Sequence, residues 1–158
     1  MRKLVVAADT PERLAIMRRL FREYQELLGV DLCFQGFEDE LAELPGKYAP
    51  PTGALLLAFD GEEAQGCVAL RGIAPGVCEM KRLYVRPAYR GQGLGRTLAE
   101  AVIAEGRRIG YRTMRLDTLE KLREAIGLYE SLGFRRIPPY YANPLPGVIY
   151  WELDLTTA

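Results

Sequence analysis

The sequence predicts an α+β domain, with one mixed, mostly antiparallel sheet of about seven strands, helices on both faces, and residues 1–158 forming a single unit. Three observations predict it. The chain has 158 residues, 49% of them hydrophobic, which suits one sizeable core and argues against disorder. Its middle reads as antiparallel hairpins. A strand, a glycine-rich loop, a helix and a further strand then follow in the order of a crossover connection.

"KLVVAA" (Lys3 to Ala8) reads as the first strand. Asp9 or Thr10 can cap a helix that has Pro11 in its first turn. Leu14, Met17, Phe21, Tyr24 and Leu28 recur at helical spacing, and Gly29 closes that segment. A less regular stretch holds Cys33, Phe34 and Phe37, a short acidic helix from Glu38 to Glu43, and the breaker run "PGKYAPPTG". "ALLLAF" (Ala54 to Phe59) turns at Asp60-Gly61, a strong hairpin signal, and "QGCVALRGI" returns. "APG" turns again, and "VCEMKRLYV" (Val77 to Val85) is the next strand. After the glycine loop a helix runs to about Ile109, and "YRTMRLDT" (Tyr111 to Thr118) is the fifth strand. Leu122, Ala125, Leu128, Tyr129 and Leu132 form a helical stripe capped by Gly133. "FRRI" is a short sixth strand, "PPYYANPLPG" a rigid aromatic loop, and "VIYWELDL" the last strand.

Charge and composition exclude several functions. Lys plus Arg and Asp plus Glu both number 21, so a zero net charge gives no electrostatic reason to expect nucleic acid or an anionic membrane as partner. The apolar run in "MRKLVVAADT" is too short for a secretory signal, and no stretch is long enough to span a bilayer, so a cytoplasmic protein is expected. The cysteines, Cys33, Cys67 and Cys78, are odd in number and match no metal spacing. They read as reduced, mostly buried thiols, with Cys67 and Cys78 brought near each other across the "RGIAPG" turn. The chain has no histidine, which removes Ser-His-Asp and Cys-His catalysis and leaves no metal site to expect.

"RGQGLG", Arg90 to Gly95, stands between a strand and a helix. A helix start offers unpaired N–H groups and the positive end of the macrodipole, and Gly91, Gly93 and Gly95 let that backbone approach a ligand. From Lys81 to Ala99 the chain carries Lys81, Arg82, Arg86, Arg90 and Arg96 and no acid, a bias that points to a ligand with several phosphates. The loop is not a Walker A motif, because no G-K-S/T follows. As G-x-G-x-G it is a poor dinucleotide fingerprint, although Asp117 lies where such folds place a ribose-binding acid.

"LYVRPAYRGQGLGRTL" resembles the acyl-CoA pyrophosphate-binding segment of GNAT-superfamily acetyltransferases, with Arg90, Gly93 and Gly95 at the patterned positions. "AIGLYESLGF" resembles the same superfamily's A-x-x-L-Y-x-x-x-G-F segment through Ala125, Leu128, Tyr129, Gly133 and Phe134. The likeness implies acetyl-CoA as co-substrate and an amine acceptor. It implies a strand ending at Val85 that splays from the fifth strand through a bulge, leaving a wedge for the pantetheine arm. Leu83, Tyr84 and Val85 would line that arm, an N–H near Leu83 would polarise the thioester carbonyl, and Arg90, Gly91, Gln92, Gly93, Leu94, Gly95 and Arg96 would hold the pyrophosphate. One departure is that "LEKLREA" lacks the Asn many relatives carry after the fifth strand.

The likeness also places two catalytic candidates. Glu79 sits where some members keep a general base. Burial beside an apolar wedge would raise its pKa, and the competing reading is a strand carboxylate paired with Lys81 or Arg82. Glu152 and Asp117 are further candidates for the base. Tyr129 would give a proton to the leaving sulfur, since a phenol of pKa about 10 can protonate a thiolate of pKa about 8.5; the competing reading is a core tyrosine. Tyr140, Tyr141 and Asn143 either wall the acceptor pocket or plug the core. The expected activity is N-acetylation of a small amine or amino-acid-like acceptor. A protein amine as acceptor, and a non-catalytic acyl-CoA sensor on the same fold, stand as alternatives. The last strand is also available to pair across a homodimer.

Overall fold

β1 (Lys3–Ala7) leads into α1 (Pro11–Leu28), whose start is fixed by Thr10: its side-chain oxygen accepts the Arg13 N–H at 3.2 Å. Such a cap contributes about 1 kcal/mol. Gly29, at φ 67°, ends the helix in the left-handed conformation. The computed structural model describes residues 3–29 and 36–157, so Cys33 and Phe34 lie outside the described residues. α2 (Phe37–Glu43) and a short 3₁₀ turn (Gly46–Tyr48) precede the hairpins β2 (Ala54–Asp60), β3 (Glu63–Ala74) and β4 (Val77–Val85). α3 (Leu94–Ile109) crosses over to β5 (Thr113–Leu119). α4 (Arg123–Ser131), β6 (Arg135–Ile137) and β7 (Val148–Asp154) complete the chain.

The sheet has seven strands in the order β1-β2-β3-β4-β5-β7-β6. Every neighbouring pair is antiparallel except β4 and β5, which run parallel and pair only at Val77–Thr113, Cys78–Met114 and Glu79–Arg115. Beyond Glu79 the two strands part.

Each face of the sheet is covered by its own helices. Leu98, Val102 and Tyr129 from α3 and α4 pack on Met80, Leu116 and Trp151. On the other face Leu20, Phe21, Phe37 and Leu41 from α1 and α2 pack on Leu57, Ala69 and Tyr84. Each large side chain so buried contributes about 1.5–3 kcal/mol. The layers also correct one expectation: Cys67 belongs to the α1 layer and Cys78 to the α3 layer, on opposite faces. Both thiols are free and buried, as expected. Burial pushes the Cys67 thiol up, and the Cys78 thiol to about 12.

Candidate active site

The parting of β4 from β5 begins at a bulge. Lys81 pairs with Ala69 and Tyr84 with Cys67, so Arg82 and Leu83 together stand opposite Val68. Arg82 adopts φ 59°, the one positive value at a non-glycine position among the described residues. It is held there by bonds from Nε and a terminal nitrogen to the two oxygens of Glu40, both 3.0 Å, with Phe37 5.4 Å beneath the guanidinium. Glu40 also receives Lys47 at 3.0 Å. Past the bulge, the Arg86 N–H reaches the Gln65 carbonyl of β3 at 2.9 Å. Alternation along an antiparallel ladder then commits Tyr84 to β3 and turns the N–H and C=O groups of Leu83 and Val85 into the gap. The Tyr84 side chain also points away, its hydroxyl donating to Glu23 at 3.1 Å; of the expected cofactor contacts on this strand, Leu83 and Val85 have the right direction.

A cavity of about 90 Å³ occupies the gap. Leu83 and Lys81 reach it from β4, Asp117 and Thr118 from β5, Tyr129 from α4, Tyr24 from α1 and Asn143 from the β6–β7 loop. Asn143 reaches the cavity from that loop, whereas "LEKLREA" has no Asn to offer. Tyr129 packs edge-on against Phe134 at 5.6 Å, and burial holds its phenol well above the ordinary value, so it stays protonated. Burial raises the Tyr24 pKa to about 12. Sequence periodicity places Tyr24 among the core residues of α1 and carries no signal for this second role.

The two carboxylates on this face differ. Asp117 lines the cavity; its Oδ2 accepts the Tyr141 hydroxyl and, at 3.4 Å, the Asn143 amide, and its Oδ1 stands 3.9 Å from Lys81 Nζ. Glu79 is fully buried and absent from the cavity wall. Its Oε1 accepts Arg71 Nε at 2.8 Å, with Lys81 4.0 Å away, and its Oε2 accepts the Tyr140 hydroxyl at 2.6 Å. Burial pushes its pKa up, but Lys81, Tyr140 and Arg71 together outweigh burial and hold it below the ordinary carboxylate value. The expected raised pKa is therefore corrected, and the pairing with Lys81 is present. Glu152, the other strand candidate, faces Arg115 at 3.0 Å and Arg135 at 3.1 Å, away from the cavity. Tyr140, Tyr141 and Tyr150 pack edge-on at 5.3–5.5 Å as a docked aromatic cluster, while Asn143 and Leu145 of the same loop line the cavity.

At the other end of the gap lies the glycine loop. Gly91 and Gly93 have φ 82° and 77°, values strained for any residue with a side chain. Gly93 is the N-cap of α3 and no side chain caps that helix, leaving its first-turn N–H groups directed outward. Arg90 Nε donates to the Val85 carbonyl at 3.1 Å and fixes the loop to the end of β4, while Arg96 donates to Ser131 of α4. The cationic run itself is dismantled by folding. Lys81 and Arg82 face carboxylates on the α1 side, and Arg86 binds Glu23 at 3.0 and 2.8 Å. Arg90 and Arg96 remain at the loop, so the sequence bias overstated the local charge.

The sheet is thus opened at its parallel joint, with outward amides on one strand and an uncapped helix start at its mouth. The Acetyltransferase (GNAT) family profile matches residues 14–134, and the chain belongs to that family. It is 45% identical over 154 residues to an N-acetyltransferase of Schizosaccharomyces pombe, covering 96% of this chain and 94% of that one. Among solved structures, a GNAT-family acetyltransferase from Staphylococcus aureus Mu50 superposes with a TM-score of 0.81 at 18% identity, covering 98% and 99% of the two chains. The yncA protein of Salmonella typhimurium, solved with its cofactor acetyl-CoA, gives 0.74 at 21% identity over 98% and 95%. Both likenesses show the fold. The protein is an acetyl-CoA-dependent N-acetyltransferase. No helix among the described residues is long and apolar enough to cross a membrane.

Proposed function

We propose that the protein moves the acetyl group to the primary amine of a small acceptor by direct transfer in a ternary complex. The observation that carries this is one cavity lined together by Leu83, Tyr129 and Asp117, each from a different element. The residues present fit acetyl-CoA: the uncapped start of α3 behind Gly93 suits a pyrophosphate, and the Leu83 and Val85 backbone groups suit an amide-bearing arm. When bound, it supplies the activated acetyl group. The Leu83 N–H polarises the carbonyl. The acceptor loses its first proton to solvent. Its nitrogen lone pair forms the new C–N bond as the C–S bond breaks, a second nitrogen proton passes to Asp117, and the sulfur takes the proton of Tyr129. Asp117 then restores the phenol across the shared cavity. The role expected of Glu79 passes to Asp117, because Glu79 is sealed from the cavity and holds Tyr140 and Arg71 in place. Both described cysteines are buried, which favours direct transfer over an acyl-thiol enzyme.

The test follows free thiol release with acetyl-CoA and amines. Asp117→Asn and Tyr129→Phe should each lower kcat by about 100-fold or more with coenzyme A affinity nearly unchanged. Glu79→Gln should cost less than either. Folded Asp117→Asn with wild-type turnover would refute the assignment, and coenzyme A binding without thiol release to any amine would favour a sensor module.

A further inference from the structure

The acceptor end of the cavity presents two opposite charges side by side. Lys81 Nζ and Asp117 Oδ1 are 3.9 Å apart, and both line the wall. That spacing is longer than a hydrogen bond, so the two groups face the cavity as a charge pair rather than closing on each other. Their elements set this arrangement: Lys81 comes from β4 just before the bulge and Asp117 from β5 just after the strands part, so they look across the gap at its narrow end.

The charge around this wall is evenly matched at rest. Among the described residues, the linked ion pairs here set Arg71 and Lys81 against Glu79 and Asp117, two cations against two carboxylates. The Lys81 side chain is only 5% exposed. When Asp117 takes the amine proton, the set is left with one positive charge in excess. A buried excess of positive charge is costly, and an anion standing beside Lys81 offsets that cost.

Resting on the acetyl-transfer reading above, we propose that the acceptor is a free amino acid, with its amine beside Asp117 and its carboxylate beside Lys81. An α-amino acid carries both groups on one carbon, so the two poles match two poles of the wall a few ångströms apart. A protein N-terminus or a lysine side chain within a chain has the amine without the neighbouring carboxylate. Leu28, Leu122, Leu145 and Val148 make other parts of the lining apolar, and the other cation on the wall, Arg82, is held by both oxygens of Glu40.

The experiment measures thiol release from acetyl-CoA with the L-amino acids, with their primary amides, and with the amines that remain when the carboxyl group is removed. The best amino acid should exceed its own amide and amine by about 10- to 100-fold in kcat/KM, the range of one lost charge-assisted hydrogen bond. Lys81→Met should bring that ratio close to one; where it does not fold, the wild-type comparison decides. Amides or plain amines used as well as amino acids would overturn the inference and leave acetyl transfer standing. If coenzyme A binds but no amine in any of the three sets releases thiol, the acetyl-transfer reading falls, and this inference with it.

Discussion

The bulge at Arg82 is held in its left-handed conformation by Glu40, and Glu40→Gln tests that hold. A non-glycine residue at φ 59° costs about 1–2 kcal/mol, which the two 3.0 Å bonds to Glu40 must offset. The pair is out of solvent, with side-chain exposures of 3% and 2%. Gln keeps the shape and one acceptor oxygen but leaves the guanidinium without a counter-charge, and breaking a buried pair from one side costs about 3–5 kcal/mol. For a domain of this size each kcal/mol moves Tm by about 2–4 °C, so a fall of about 6–20 °C is expected. The pH dependence follows from Glu40. Burial pushes its pKa up, but Arg82 and Lys47 outweigh burial and leave it lowered. The stability it contributes is therefore fully present above the unfolded carboxyl value, about 4.3, and is lost as pH falls through the lower folded value. The wild-type and variant Tm curves, read by calorimetry, should be furthest apart near neutral pH and converge in acid. A Tm within about 3 °C of wild type at pH 7, or a gap that persists in acid, would refute the reasoning.

Gly93→Val forces a β-branched residue to φ 77° at the start of α3, where no side chain stands in the way, so its effect is on backbone direction. Coenzyme A affinity measured by calorimetry should drop by at least about tenfold, the equivalent of 1–2 kcal/mol of strain; an unchanged Kd would show that the loop does not hold the pyrophosphate. In a Cys33→Ser background, Cys67 and Cys78 should ignore a thiol reagent until the protein is unfolded, because both are buried and burial raises both pKa values. Rapid labelling of either in native buffer would contradict the packing.

Local signals carried most of the fold. Thr10 and Pro11 marked the start of α1, Asp60-Gly61 marked the first hairpin, and the glycines around Gly93 marked the start of α3. Where a motif carried the reading, the residues came together: Tyr129 and Leu83 line one cavity. The site was not legible where partners come from far along the chain. Nothing near Arg82 announces Glu40, 42 positions away, and nothing near Arg86 announces Glu23, 63 positions away. A run of cations with no acid beside it therefore read as a phosphate site, although long-range pairing had claimed most of it. The expectation of a raised pKa at Glu79 allowed for burial, but Lys81 two positions on, together with Tyr140 and Arg71 from other elements, reverses its effect.

Because β4 and β5 share only three paired positions, the sheet is two stiff leaves meeting at a short fulcrum. One leaf carries Leu83 and Lys81; the other carries Asp117, and Tyr129 follows it on α4. The Leu83 backbone and Lys81 are thus mounted on the arm opposite to Asp117 and Tyr129. A small rotation at Val77, Cys78 or Glu79 and their partners Thr113, Met114 and Arg115 changes the distance between them without disturbing the packing inside either leaf. An error of about 1 Å in such a distance can cost about 100-fold in rate. Side chains such as Cys78 and Met114, buried at that fulcrum, therefore set the span across the cavity.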